Sequence, residues 1–352
     1  MRDKSIDVGR GLLVIMMVYG HVMQFFGDSQ VFPLMGKLID VINLTVFPTF
    51  VFYFGATAVL AYLKRPYLSA LPGMIRTTLR AYVVFCLSGV GNRVLRENKA
   101  FAVGTVRRVM QLTDIPGWSE FLIAFALYGL LLIVGYALFD WLSRRPFACL
   151  IVSALCVGAC VLVPYGQIPT RLALLIGGRD YSYFPVVQYM PYFLAGMVWA
   201  QGDKRTRRKI LFAAVVASLG GVAHWHFLGF PGRFPPSWGW ILLPGALVAV
   251  VVLLSRALSS LAGPGIGRIA DALCGVLGHF GGASLYYLLG SNLVLFTLAG
   301  KGAAPAMARR SILPWTLPIQ SPQGAACWAA LLLLGLWFMA VLAGRGKGSK
   351  TA

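Results

Sequence analysis

Apolar segments of about 20 residues recur along almost the whole chain, and that leaves few folds open to it. In a bilayer core every backbone polar group must find an internal partner, so only helices and closed barrels can cross. Long continuous apolar runs are the helical signal. About ten such segments are predicted, near 8–26, 46–63, 75–92, 118–139, 147–165, 184–201, 210–228, 238–257, 282–300 and 325–343. The expected fold class is therefore all-α, a polytopic membrane helical bundle of about ten transmembrane helices. Composition agrees: 58% of residues are hydrophobic and 12% charged, against about 25% charged in soluble domains. The first apolar segment begins near Val8 and lacks a small-residue cleavage site, so it is expected to be the first span rather than a cleaved signal. The stretch 27–45 is expected to be a loop or an interfacial helix, and 258–281 to hold a short amphipathic helix.

An even number of spans places both termini on one side. Most of the 31 Lys and Arg residues fall in loops on the N-terminal side, including the run Lys204, Arg205, Arg207, Arg208 and Lys209. Positive charge marks cytoplasmic loops, so both termini are expected to be cytoplasmic. The same bias accounts for the net charge of +20 without any nucleic acid partner. Residues 1–343 read as a single transmembrane domain and 344–352 as a short basic cytoplasmic tail, expected to be disordered. The longest outer loops, near 93–117 and 301–324, are too short to fold alone. Any chemistry must then lie inside the bundle or at its faces.

The first segment, SIDVGRGLLVIMMVYGHVMQF at 5–25, carries Arg10 near one end and His21 well inside. At about 100° and 1.5 Å per residue, their eleven-residue separation amounts to three turns plus roughly 20°. Both side chains point the same way, about 16 Å apart along the axis. Asp7 lies on a neighbouring part of that face, placed to pair with Arg10. Ionisable groups within a membrane are costly and usually face a cavity or a partner. The stripe suggests a channel in which a charged ligand enters at Arg10 and its far end meets His21. Histidine, with a reference pKa near neutrality, suits proton transfer.

Other polar residues read more plainly. His224 and His226 are about 200° apart on a helix and cannot easily share a metal; they read as aromatic-belt residues. His279 is expected at an interface. The six cysteines sit in or beside apolar segments without spaced co-ligands, so packing is the expected role, with no disulfide framework and no metal site. GPGIGR at 263–268 is expected to be a loop. Arg93, Arg96, Arg107, Arg108, Arg171, Arg179, Arg309 and Arg310 read as outer loop charges, and Trp118, Trp238 and Trp240 as belt residues. Glu120, Asp40 and Asp28 are the carboxylates closest in type to a histidine partner.

Ile6-Asp7-x-x-Arg10-Gly11 followed by Val18-Tyr19-Gly20-His21 resembles the first-span motif of the acyltransferase 3 family of integral-membrane O-acyltransferases. Shorter pieces follow in the family's order: Pro48-x-Phe50-x-Phe52-x-x-Gly55, the basic pair Arg76 and Arg80, Trp118-x-x-Phe121-Leu122, Tyr192-Phe193-Leu194-x-Gly196, and Ser284-Leu-Tyr-Tyr287-Leu-Leu. The resemblance covers about residues 5 to 300. Three positions depart from it: Gly290 stands where the family has a late histidine, Phe54 where it has a second-span serine, and the basic pair is four residues apart instead of three.

The resemblance implies ten spans, cytoplasmic acyl-coenzyme A (acetyl-CoA or another acyl-CoA) as donor, and a hydroxyl of a glycan or lipid-linked sugar as acceptor. It places the chain in a membrane, the bacterial inner membrane being the expected one, in contact with lipid. Arg10, Arg76, Arg80 and Tyr287 would meet the donor, whose phosphates favour arginine. His21 would be general base or acyl relay, with Arg10 and Glu120 as further catalytic candidates. An N-acyltransferase of the heparan-glucosaminide type, whose first span also carries Asp-x-x-Arg-Gly, is an alternative. A polar-substrate transporter is another, although no internal repeat is visible.

Overall fold

The computed structural model describes residues 3–179, 184–262, 267–300 and 319–348, and among these it is all-α with no strand. Helix α1 (Lys4–Phe26) is capped by Asp3, whose side chain accepts from the Ser5 amide. Helix α2 (Pro33–Ala58) starts on a proline, which lacks the N–H that a first turn leaves unpaired, and continues as a π-turn over Val59–Leu63. The stretch 27–45 is thus largely the first half of α2. The two helices run antiparallel, with rungs at Arg10–Thr57 and Gln24–Asn43.

Helix α3 (Tyr67–Gly91) ends in a second π-turn, Asn92–Arg96. Helix α4 (Val103–Met110) lies within the long connection near 93–117. Helices α5 (Glu120–Val134) and α6 (Tyr136–Ser143) form one segment bent by 92°. Then come α7 (Pro146–Leu162), α8 (Thr170–Ile176), α9 (Val186–Gln201) and α10 (Lys204–Leu228). Helices α11 (Trp238–Leu242) and α12 (Gly245–Leu261) follow. Helices α13 (Arg268–Gly282) and α14 (Ser284–Ala299) meet at a 74° bend, and α15 (Pro322–Gly348) closes the chain.

Among the described residues five helical segments are long and apolar enough to cross a membrane, or up to seven if each bent pair is one span. That is fewer than the ten apolar runs in the sequence: of the five runs that do not make a straight span, one is the run near 75–92, inside α3, and the other four are short or bent. Helices α7 and α9 have 17 and 16 residues, about 25 Å at 1.5 Å per residue, against a hydrocarbon core of about 30 Å. Two further apolar runs, 118–139 and 282–300, are broken or begin at a bend. The region 258–281 does hold a helix, α13. Helix α15 runs on to Gly348, so the first part of the basic tail continues a helix. Residues 263–266 of the GPGIGR stretch, Arg309, Arg310 and the chain beyond 348 lie outside the described residues.

Glycines set two close helix crossings. A Cβ on Gly11 would sit 2.0 Å from the Leu277 carbonyl oxygen, and one on Gly281 would sit 1.8 Å from that of Asp7. Helices α1 and α13 therefore touch backbone to backbone. The α2–α9 crossing repeats the device: a Cβ on Gly55 would meet the Phe193 oxygen at 2.0 Å, and one on Gly196 the Phe52 oxygen at 1.9 Å. Small residues that admit such approach are the usual basis of helix pairing in lipid. Around these crossings Leu13, Val14, Val18, Phe85, Phe193 and Leu288 join one apolar cluster. Large apolar side chains on α7 and α10, such as Phe147, Leu155, Phe212 and Leu219, point outward, as lipid-facing helices require.

Candidate functional site

Helix α1 serves two cavities. The first is an open groove of about 1080 Å³ at the end of the bundle that holds Lys4. It is walled by Arg10 from α1, by Arg76 and Arg80 from α3, and by the bend between α13 and α14. The arginines predicted from the sequence are thus brought together by two separate helices. Arg10 donates through Nη2 to Thr57 Oγ1 at 3.0 Å, while Arg76 and Arg80 are exposed. Tyr287, the other donor-site candidate, does not line the groove; its neighbour Tyr286 does. Successive helical residues point about 100° apart. Tyr287 turns into the packing between α14 and α13, its ring 4.8 Å from that of Phe280.

The second cavity, of about 310 Å³, lies towards the opposite end and holds His21, Gln24, Asn43, Trp118, Glu120 and Arg233. His21 is pinned on its Nδ1 side, 3.0 Å from Asn292 Oδ1. The other end of that amide decides which way protons run. Asn292 Nδ2 lies 3.1 Å from the Trp118 carbonyl oxygen, which can only accept, so Nδ2 is the donor and Oδ1 the acceptor. His21 Nδ1 must then carry the proton, and the neutral ring keeps its Nε2 lone pair free. Asn292 Nδ2 also reaches Ser88 Oγ at 3.1 Å, and Ser88 Oγ is 2.7 Å from Ser119 Oγ.

Trp118 supports this chain at a cost. Its φ is +69°, a left-handed conformation unusual for a bulky residue and typically worth about 1–3 kcal/mol of strain. Its ring meets His21 edge-on, with centroids 5.4 Å apart, and leans on Phe25 at 4.4 Å. Arg96, expected as a loop charge, sits over both the Phe25 and the Trp118 rings.

Glu120 lines the His21 cavity, and its Oε2 is buried without a hydrogen-bond partner. Arg233 comes from the loop between α10 and α11, where the Ser237 amide donates to the Gly232 carbonyl. Its guanidinium carbon lies 4.5 Å from the Phe234 ring centroid and 5.3 Å from that of Phe184. Burial pushes the Arg233 pKa below the usual arginine range, while Tyr189 and the charges of Glu120 and Asp40 oppose that shift.

The two cavities share no lining residue, so the channel expected from Arg10 to His21 is divided. On α1, which lines both, the nearest lining residues are Arg10 and Met17, about two helical turns apart. On α14, Leu289 lines the groove and Asn292 holds His21; on α3, Val84 lines the groove and Ser88 meets Asn292. Val14 and Val18 of α1 are fully packed between the two ends.

Asn292, Ser88 and Arg233 were not singled out in the sequence. Asn292 had a usable signal, a carboxamide within a predicted span. Arg233 had none, because PGRFPP reads as a connector. His224 is buried edge-on against Trp238, whereas His226 is exposed, so the two share no site. All six cysteines are free, and among the described residues no group of three or more His, Cys, Asp or Glu could hold a metal ion. No family model, curated protein or solved structure matches the chain.

Proposed function

We propose that the protein is a membrane acyltransferase that moves an acyl group, acetyl in the simplest case, from cytoplasmic acyl-CoA to a hydroxyl of a glycan or lipid-linked sugar. The observation that carries this reading is His21, held by Asn292 with Nε2 free, on the same helix that presents Arg10 to the arginine groove. The groove is suited to the phosphates of coenzyme A, which arginine binds through charge-assisted hydrogen bonds. The His21 cavity takes the acceptor. Nε2 removes the proton from the acceptor hydroxyl as its oxygen attacks the thioester carbonyl; the C–S bond breaks, and the imidazolium returns the proton to the departing thiolate. The Nδ1 proton stays on the imidazole, donated to Asn292 Oδ1, throughout.

In this reading the partition moves to admit the thioester. The bend at Ala283 is the natural hinge, since α14 carries both Leu289 and Asn292. The ten-crossing arrangement with both termini cytoplasmic belongs to the same proposal and is supported by the Lys/Arg bias of the loops. One observation favours a transporter instead: two bent helix pairs, one of them bordering the arginine groove. A direct test is release of coenzyme A by the purified protein with acetyl-CoA and candidate glycans, alongside mass spectrometry of cell-surface glycans. Loss of acyl groups in a His21→Ala strain with normal protein level supports acyl transfer. Retained acylation with lost substrate accumulation supports transport.

A further inference from the structure

The His21 cavity contains a cation with nothing to hold. Arg233 makes no hydrogen bond or ion pair with any described residue, and its Nε is buried without a partner. The Phe184 and Phe234 rings fix the guanidinium plane but satisfy none of its N–H groups. Buried charges are normally paired, because leaving one unpaired in a low-dielectric site is costly. A guanidinium presents five donors in a planar fork that matches a carboxylate or phosphate. Glu120 adds a second unsatisfied atom to the same wall, an acceptor able to take a ligand hydroxyl. Asp40 is exposed and acts on Arg233 only through space.

We propose that the molecule occupying this cavity carries an oxyanion, a carboxylate or a phosphate, seated on Arg233, with a hydroxyl directed to Glu120. Calling that molecule the acyl acceptor rests on the acyltransferase reading; the anion site itself does not. The cavity, about 310 Å³, is at the small end of ligand pockets, which run about 300–1,000 Å³, so one sugar-sized unit is the expected occupant. Two sources share this chemistry: the carboxylate of an acidic sugar, and the phosphate of a sugar linked to a lipid carrier.

The test is calorimetric titration of the full-length protein in lipid nanodiscs with glucuronate, glucose 1-phosphate and glucose. At least one anion is expected to bind about tenfold or more tightly than glucose, as loss of a charge-assisted pair implies. Preference for glucuronate assigns an acidic glycan, and preference for glucose 1-phosphate a carrier-linked phosphate. Arg233→Gln should abolish the preference, and Arg233→Lys, which keeps the charge and loses the fork, should reduce it. Equal binding of all three ligands by the unaltered protein, or a preference that survives Arg233→Gln, overturns the proposal. A His21→Ala variant, inactive under the acyltransferase reading, should still prefer the anion. Anion binding without any acyl transfer would therefore retain this site while removing the reaction.

Discussion

The groove at Arg10 and the cavity at His21 are both lined by α1, while α3 and α14 line the groove and brace His21 through Ser88 and Asn292, yet the two hold their polar groups in opposite ways. In the groove, Arg76 and Arg80 are exposed on long side chains facing about 1080 Å³ of open space. Such groups select for charge and adapt to the shape of what they bind. In the cavity, His21 is fixed by a chain running from the Trp118 carbonyl through Asn292, with Ser88 and Ser119 behind it. That arrangement selects for orientation and sets one tautomer. A single helix thus presents an electrostatic site at one end and a geometric site three turns away. The difference implies that substitutions in the two should have different kinetic signatures.

The sharpest way to break the comparison is His21→Ala. Loss of a general base typically costs 10²–10⁴-fold, so acyl transfer should fall by at least about 100-fold while donor affinity stays unchanged. A fall of less than about tenfold, measured by coenzyme A release, would remove His21 from the chemistry. Next in size is Asn292→Leu, which leaves His21 in place but frees its tautomer. It should lower kcat by about 10–100-fold, as loss of a hydrogen bond worth roughly 1.5–3 kcal/mol would, with the donor KM unaltered. Asn292→Gln should restore part of it, which simple loss of packing would not allow.

On the groove side the expectation reverses. Replacing Arg76 and Arg80 together with Gln should raise the donor KM about tenfold, in keeping with loss of exposed charge contacts of about 1 kcal/mol, and leave kcat nearly constant. Added salt should weaken donor binding in the unaltered protein and much less in the double variant. The smallest effect is expected for Trp118→Phe. The carbonyl that orders Asn292 belongs to the backbone, so kcat should change only a few-fold, about what loss of ring contacts worth roughly 0.5–1 kcal/mol would produce. A drop as large as that of Asn292→Leu would mean that the indole ring, and not the carbonyl, holds the histidine.

Much of the site was legible in the first span. Arg10 and His21 share a face because three helical turns nearly close on eleven residues, and both do line cavities. Arg76 and Arg80 were reached through the resemblance to the family's basic pair, and α3 brings them to the same groove as Arg10. Tyr287 packs against Phe280, and it is the adjacent Tyr286 that lines the groove. A motif aligned in sequence does not say which of two adjacent tyrosines faces a groove when the helix starts at a bend. The structure carries five to seven of the ten expected spans among the described residues, because hydropathy reports apolar length and is blind to the break near Gly135 and the bend at Ala283.

The sequence by itself determined that this chain is helical and apolar enough for a membrane, and that an arginine and a histidine stand on one face of its first helix. Both follow from period and composition, which are local. Only the tertiary structure decided that His21 answers to Asn292 from 271 positions away, and that a packed partition divides the expected channel. It also decided that Arg233 enters the cavity from a loop. These depend on where helices cross, and the crossings are set by backbone contact at Gly11, Gly281, Gly55 and Gly196, pairings that no run of neighbouring residues encodes.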